Sequence, residues 1–269
     1  MTKGYTSNIL RRLGLIQVSD RLRFYLQRYR NRNINYRFLC ENPGISLPPD
    51  YLIYESFQIN YHKYYTESIE SAREITALLK KHADLSDIKI LDWGCGPGRI
   101  IRHLPGMVSN NCHLYGTDYN EKSIEWCRKN IRGVNFSINS LRAELPFSDN
   151  YFDIIYGLSV LTHLSEQLHH EWYNELLRIL KPGGLILLTT AGNNFKVKLT
   201  RGEKEMFDRG HIVVRGMAME GHRTFSAFQP AEFMRILFSN SEILEHIETT
   251  PEKSRSLPQD VWIIRKRRN

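Results

Sequence analysis

The chain has 269 residues, 41% of them hydrophobic, which is enough to bury the core of one α/β domain with a small addition. No stretch approaches the roughly 20 apolar residues that cross a bilayer. The opening MTKGYTSNILRRLGL lacks the apolar run and small-residue cleavage site of a secretory leader, so a cytoplasmic location is expected.

The formal net charge is +8, and residues 1–40 account for all of it, with nine Lys and Arg against the single acid Asp20. Cys40, Cys95, Cys112 and Cys127 fit neither a paired-cysteine zinc site nor a disulfide framework. They read as reduced thiols, and no metal centre is expected.

Residues 1–40 read as helical. Ser19 or Asp20 is placed to cap a helix whose apolar positions Leu22, Tyr25, Leu26 and Tyr29 recur every three to four residues, with arginines on the other face. This spacing predicts that the apolar residues pack inward. Phe24, Tyr25, Tyr29 and Tyr36 interleave the arginines. Such a basic arm suits an anionic membrane surface, a nucleic acid or an acidic partner, or is a solvated face.

ENPGISLPPD (41–50) breaks the pattern with three prolines and a glycine, so residues 1–50 read as arm and linker and 51–269 as the main domain. Helical spacing resumes over 51–82. Its Tyr61, Tyr64 and Tyr65 either close over a ligand or form a packing face.

From residue 88 short apolar runs alternate with helical stretches. The runs are 88–91, 113–117, 134–138, 152–157 and 185–190, with helices over Asn120–Arg132 and Ser165–Leu180. This alternation predicts a parallel sheet. The runs 242–248 and 260–266 have no helix between them and predict an antiparallel pair at its end. Residues 191–230 form a long insertion with two short strands, 211–215 and 224–228, read as a hairpin lid. Its His211, Arg215, His222 and Arg223 suggest an anionic acceptor or an ordinary polar surface.

The informative stretch is Ile90 to Arg99. A buried strand ends in Asp92, a glycine-rich turn follows (Gly94, Cys95, Gly96, Pro97, Gly98), and a helix is predicted over Arg99–Leu104. Glycines let the backbone turn tightly and let a ligand approach closely. Alone, such a turn serves a dinucleotide as well as other nucleotide-bearing ligands. Asp92 shifts the balance. A carboxylate at that strand end repels a pyrophosphate and suits a ligand with an ammonium, a sulfonium and no phosphate. Asp118 ends the next strand, where an acid accepts from ribose hydroxyls.

LDWGCGPGR (91–99), GTDYN (116–120), LPFSDNYFDIIYG (145–157) and LKPGGLILLTT (180–190) stand in the order found in class I S-adenosylmethionine-dependent methyltransferases, which this chain resembles. The resemblance implies a Rossmann-like, mostly parallel seven-stranded α/β sheet with helices on both faces and an antiparallel C-terminal strand pair. It implies S-adenosylmethionine as cofactor. Gly94, Gly96 and Gly98, with Cys95 in the same loop, would line its methionine part, and Asp92 would bind its ammonium. Asp118 would hold the ribose and Tyr119 would pack on the adenine.

Asn139 and Ser140 fall where the family often has an acid that bonds the adenine amino group, and the Asn139 amide oxygen can accept that bond instead. Arg99 would reach the cofactor carboxylate or serve a salt bridge. The segment Tyr156–Ser159 lacks the family's signatures for nucleobase methylation, which counts against a nucleic-acid substrate. Ser159–Leu164 resembles bacterial small-molecule members, many of them associated with glycan or natural-product assembly. This implies a small-molecule acceptor, with His163 as general base or as a histidine that tethers its loop. The competing readings are an RNA or protein methyltransferase docking through the arm, a nicotinamide oxidoreductase, and a cofactor-binding protein without turnover.

Overall fold

The computed structural model describes residues 3–248 and 258–268. The first two residues of the predicted N-terminal helix lie outside them. Seven strands, β1 (Lys89–Trp93), β2 (His113–Asp118), β3 (Val134–Ile138), β4 (Phe152–Gly157), β5 (Leu180–Thr190), β8 (Ser241–Ile247) and β9 (Asp260–Lys266), are ordered β3-β2-β1-β4-β5-β9-β8. This is the predicted Rossmann-like sheet. β9 runs antiparallel to β5, and β8 antiparallel to β9.

The chain divides into two compact units, Val18–Ser140 and Met1–Gln17 with Leu141–Asn269. In the first, β1, β2 and β3 pair in parallel. β1 buries Ile90, Leu91 and Trp93, as a strand covered on both faces requires. Helix α5 (Glu121–Asn130) starts where the Asn120 side chain accepts from the Ser123 N–H and ends at Ile131. Ile124 and Cys127 from α5 pack with Cys95, Ile101, Ile131 and Phe136 in one cluster.

The region 51–82 is two helices, α3 (Asp50–Ser56) and α4 (Tyr61–Lys80), separated by Phe57–Asn60. The N-terminal region is likewise two helices, α1 (Lys3–Arg12) and α2 (Ile16–Glu41), divided at Gly14, whose φ is +69°. Neither Ser19 nor Asp20 is a cap, because α2 has already begun at Ile16.

The inward face of α2 also differs from the expectation. It carries Asp20, Phe24, Gln27, Asn31, Asn35 and Phe38, and the apolar set Leu22, Tyr25, Leu26 and Tyr29 is exposed. The reason lies at the start of α4, whose first backbone N–H groups have no partner within the helix. The Gln27 amide oxygen accepts from the Ile59 N–H (3.0 Å) and the Asn35 oxygen from the Tyr61 N–H (2.9 Å). The Tyr54 hydroxyl donates to the Asp20 carboxylate (2.8 Å). These bonds turn the polar side of α2 inward.

In the second unit β4 and β5 pair in parallel. Helix α6 (Glu166–Ile179), capped by Ser165, runs directly into β5. The predicted turn Lys181–Gly184 is an irregularity within β5, because the β4 register slips between Phe152 opposite Leu180 and Ile154 opposite Leu185. The insertion holds the predicted hairpin, β6 (Val213–Arg215) with β7 (Ser226–Phe228), as a separate two-stranded sheet. A 3₁₀ turn (Asn193–Lys198) and helix α7 (Arg201–Asp208) precede it, neither of which the sequence reading placed. Helix α8 (Ala231–Leu237) follows.

The hairpin is fastened at its base. Arg11 of α1 is buried and donates to the carbonyls of Arg215 (3.2 Å), Gly216 (3.0 Å) and Thr224. Glu203 of α7 accepts from Arg215 through two guanidinium nitrogens (2.9 and 2.7 Å) and from Asn8 (3.1 Å). Burial pushes the Glu203 carboxyl up, but the bonds from Arg215, Thr200 and Asn8 outweigh it and hold it at about 2.

Behind the hairpin, buried Gln229 accepts from the Ala191 N–H (2.9 Å), donates to the Leu161 carbonyl (3.1 Å) and lies 3.0 Å from His169 Nε2. His169 Nδ1 donates to the Ser165 carbonyl (2.7 Å). Burial lowers the His169 pKa to about 4, so the ring is neutral in the fold. The unfolded chain therefore binds the extra proton between about pH 6.5 and 4, and stability falls as pH drops through that window. The loss attributable to His169 is expected to be about 2–3 kcal/mol. Urea unfolding at several pH values, compared with His169→Gln, measures it. An unchanged pH slope in the variant would remove the assignment.

Candidate functional site

The glycine loop is built within the first unit. Leaving β1, the Gly94 and Cys95 N–H groups both donate to the Thr117 carbonyl on β2 (2.8 and 2.9 Å), which folds the turn against the end of that strand. Gly94, Gly96 and Gly98 all have φ in the left-handed region, at +73°, +53° and +69°, where a Cβ is disfavoured. The Gly96 N–H donates to Asp118 Oδ2 (2.8 Å) and the Asn120 N–H to Asp118 Oδ1 (2.8 Å). Asp118 is thus held by both flanking loops.

Asp92 and Asp118 are both buried, at the ends of paired strands. Burial raises the Asp118 pKa to about 6, even though its two N–H bonds pull the other way. Two carboxylate oxygens that each accept one N–H retain a lone pair apiece for a further donor. Burial, with Asp118 and Glu55 nearby, pushes the Tyr119 hydroxyl up to about 12, so it stays protonated.

Asn139 follows β3, its N–H donating to the Asp118 carbonyl (3.1 Å) and its side-chain nitrogen to the Ser140 carbonyl (2.7 Å). Its Oδ1 is buried with no hydrogen-bond partner among the described residues. An unsatisfied buried acceptor is costly unless a ligand donor meets it.

The structure therefore brings Asp92, the Gly94–Gly98 loop, Asp118, Tyr119, Asn139 and Ser140 to one edge of three adjacent strands. It departs from expectation at two points. The segment after the loop is a turn and then a 3₁₀ helix (Ile101–Gly106) rather than an α-helix from Arg99. Pro105 lacks the N–H an α-helix would need there. The Cys95 thiol points away from the strand edge into the core cluster, where its Sγ lies 3.4 Å from the Gly96 carbonyl and burial pushes its pKa well up.

Sequence reasoning left two supports of the loop unassigned. The Tyr64 hydroxyl, fully buried on α4, donates to the Pro97 carbonyl (3.2 Å). The Arg99 guanidinium lies over the Phe57 ring at 4.6 Å. The tyrosines at 61, 64 and 65 were the available signal, and their spacing could not say which ring reaches the loop.

His163 belongs to the second unit, at the end of a short 3₁₀ turn (Leu161–His163). Its Nδ1 donates to the Phe225 carbonyl (2.9 Å), and its own carbonyl accepts from the Gly221 N–H (2.9 Å), so it is tied to the hairpin at two points. A carbonyl only accepts, so this bond assigns a proton to Nδ1. Of the basic residues on the hairpin, Arg215 is buried and committed to Glu203 and the Lys198 carbonyl (2.8 Å), which withdraws it from an anionic acceptor. His222 Nδ1 lies 2.8 Å from the Thr224 hydroxyl.

Residues 90–184 match the family model of a methyltransferase domain. The chain is 32% identical over 110 residues to a ubiquinone/menaquinone biosynthesis C-methyltransferase of Wigglesworthia glossinidia brevipalpis, covering 38% of this chain and 42% of that one. It is 27% identical over 220 residues to a fatty-acid O-methyltransferase of Mycolicibacterium smegmatis, covering 75% and 74%. Its fold matches that of an S-adenosylmethionine-dependent methyltransferase from Methanosarcina mazei with a TM-score of 0.55 at 21% identity, over 71% of this chain and 97% of that one.

The family's cofactor is S-adenosylmethionine, and the groups at the strand edge fit it. They offer a carboxylate for hydroxyl donors, an orphaned amide oxygen for an amino group, and a loop free of Cβ atoms at three positions. Residues 90–184 thus match the methyltransferase domain family, on a fold shared with S-adenosylmethionine-dependent methyltransferases.

Proposed function

We propose that this chain transfers the methyl group of S-adenosylmethionine to an oxygen of a small-molecule acceptor, either a lipid-like molecule or other secondary metabolite or a glycan precursor. The observation that carries the reading is the Asp118 carboxylate, buried and held between the Gly96 and Asn120 N–H groups at the strand edge. In this reading Asp118 accepts from the ribose hydroxyls and Asn139 Oδ1 from the adenine amino group, with Tyr119 against the adenine ring and Ser140 beside it. Gly94, Gly96 and Gly98 line the methionine part, where Asp92 receives its ammonium and Arg99 its carboxylate. Cys95 contributes backbone only, since its thiol lies in the core.

When bound, the cofactor supplies a methyl carbon activated by its sulfonium. The chain's task is to hold an acceptor oxygen in line with that carbon and to keep water away. His163 is the proposed base, its ring orientation fixed by the Nδ1 bond to the Phe225 carbonyl. Its two bonds to the hairpin make it a tether of that loop as well.

Among acceptors, lipid-like molecules draw support from the fatty-acid and quinone methyltransferases to which the chain is similar. An anionic sugar acceptor loses support, because Arg215 is bound elsewhere. We also propose the division into a basic arm over 1–50 and a catalytic domain over 51–269 with a lid over 191–230.

The test is release of S-adenosylhomocysteine with a panel of fatty acids, quinols and nucleotide-sugars. The expected result is turnover with an apolar hydroxyl or carboxyl acceptor. Tight S-adenosylmethionine binding without turnover on any member of the panel would favour a cofactor-binding protein instead.

A further inference from the structure

The outward half of α2 has a pattern that the fold itself does not use. Val18, Leu22, Tyr25 and Tyr29 recur at three- and four-residue steps, Tyr36 follows two turns later and Leu39 three residues after it, and all are exposed, Leu22 at 60%, Tyr29 at 65% and Tyr36 at 73%. At roughly 100° per residue they form one stripe opposite the polar face that meets α3 and α4. Arginines border it on both sides. Arg23, Arg30 and Arg37 recur every seven residues along one margin, and Arg21 and Arg32 lie along the other with Arg28, which is ion-paired to Asp50 at 3.0 Å. Arg32 lies 4.6 Å over the Tyr29 ring, its charge at the border of the stripe. Asp20 is the one acid between residues 18 and 39, and its carboxylate faces inward to Tyr54. A helix that turns Gln27, Asn31 and Asn35 inward and its leucines and tyrosines outward has an apolar face that the described residues leave uncovered.

We propose that the outward face of α2 is a docking surface for an anionic membrane, on which the helix lies flat. The charge pattern selects this occupant. A second copy of the helix would set arginine rows against arginine rows with no acid to pair them. A nucleic acid would be met by charge at the centre of the face, whereas here the centre is apolar, and Val18, Leu22 and Leu39 offer nothing to stack on a base.

A bilayer interface meets both requirements. The stripe enters the boundary between headgroups and acyl chains, and the arginines at its margins extend to lipid phosphates. With 26 residues the helix is roughly 39 Å long, so all six stripe residues can engage at once. This surface goes beyond the methyl-transfer reading and does not depend on it, because vesicle binding is measured without cofactor or acceptor.

The experiment is sedimentation of the full chain with phosphatidylcholine vesicles, with and without phosphatidylglycerol. Two triple variants at exposed positions accompany it, Leu22→Gln/Tyr25→Gln/Tyr29→Gln and Arg23→Gln/Arg30→Gln/Arg37→Gln. Circular dichroism and urea unfolding check that each variant is folded. Wild type is expected to bind the anionic vesicles and to bind pure phosphatidylcholine far less. The arginine variant is expected to bind about a hundredfold more weakly, and the apolar variant to lose binding. The proposal is overturned if wild type stays in the supernatant with anionic vesicles, or if both variants bind as wild type does. It is equally overturned if the apolar variant turns a soluble dimer into a monomer, or if wild type ignores vesicles but binds single-stranded RNA.

Discussion

Asp118→Ala is expected to weaken S-adenosylmethionine binding by about two orders of magnitude in isothermal titration, with the protein still folded. Two hydroxyl bonds to a buried carboxylate are lost together, and a bond to a charged group contributes roughly 1.5–3 kcal/mol. The same carboxylate gives the wild type a pH dependence that the variant lacks. Burial raises the Asp118 pKa to about 6 in the ligand-free chain. A raised acid contributes stability below the unfolded value near pH 4 and loses it as pH rises through 6.

Hydroxyl donors favour the ionised form, so cofactor affinity moves the opposite way. It is expected to be constant above about pH 7 and roughly tenfold weaker at pH 5. In Asp118→Ala this component of the pH dependence disappears. A wild-type affinity that does not change between pH 5 and 7 would show that Asp118 is not the group that meets the ligand.

Much of this site was legible because the chemistry needs residue types that stand out against background. A carboxylate at each of two consecutive strand ends and three glycines in five residues are visible without any contact information. The strands were legible for a related reason. Phe152–Gly157 and Leu185–Thr190 are short apolar runs bounded by turn residues, and strands covered on both faces have that texture.

What escaped depends on partners distant in sequence. The apolar spacing of Leu22, Tyr25, Leu26 and Tyr29 pointed to an inward face, because an isolated amphipathic helix buries its apolar side. The opposite face won because Gln27 and Asn35 meet N–H groups at Ile59 and Tyr61, more than twenty residues away. Arg215 misled in the same manner. On the sequence it was one of four basic residues of a hairpin, and only the fold brings Glu203 and Arg11 to it. Tyr64 was one of three candidate tyrosines, and its bond to the Pro97 carbonyl depends on how α4 is placed against the loop. Local pattern thus gave the strands and the loop, and long-range pairing decided which polar side chains were left for a ligand.

Gly98→Ala is expected to destabilise the protein by about 3–4 kcal/mol, from two additive causes. With φ at +69° an L-residue bears roughly 1–2 kcal/mol of local strain. A Cβ at Gly98 would also collide with Ile131 Cδ1 and lie 3.2 Å from Cys127 Sγ. Both neighbours belong to the buried cluster that backs the loop, and overpacking such a site typically costs about 1–3 kcal/mol. Ile131 cannot swing aside without opening a gap beside Ile101, Ile124 and Phe136.

Gly106→Ala is the matched control. That residue has no positive φ, and a Cβ there would meet nothing within 4 Å, so its effect is expected within about 0.5 kcal/mol of zero. Urea unfolding of the two variants beside wild type makes the comparison. S-adenosylmethionine titration of Gly98→Ala under folding conditions then reads the cradle itself. The displaced turn carries the Gly96 N–H that holds Asp118, so binding is expected to fall together with stability. Equal stability of Gly98→Ala and Gly106→Ala would mean that the turn does not adopt the left-handed conformation on which the Asp118 geometry rests.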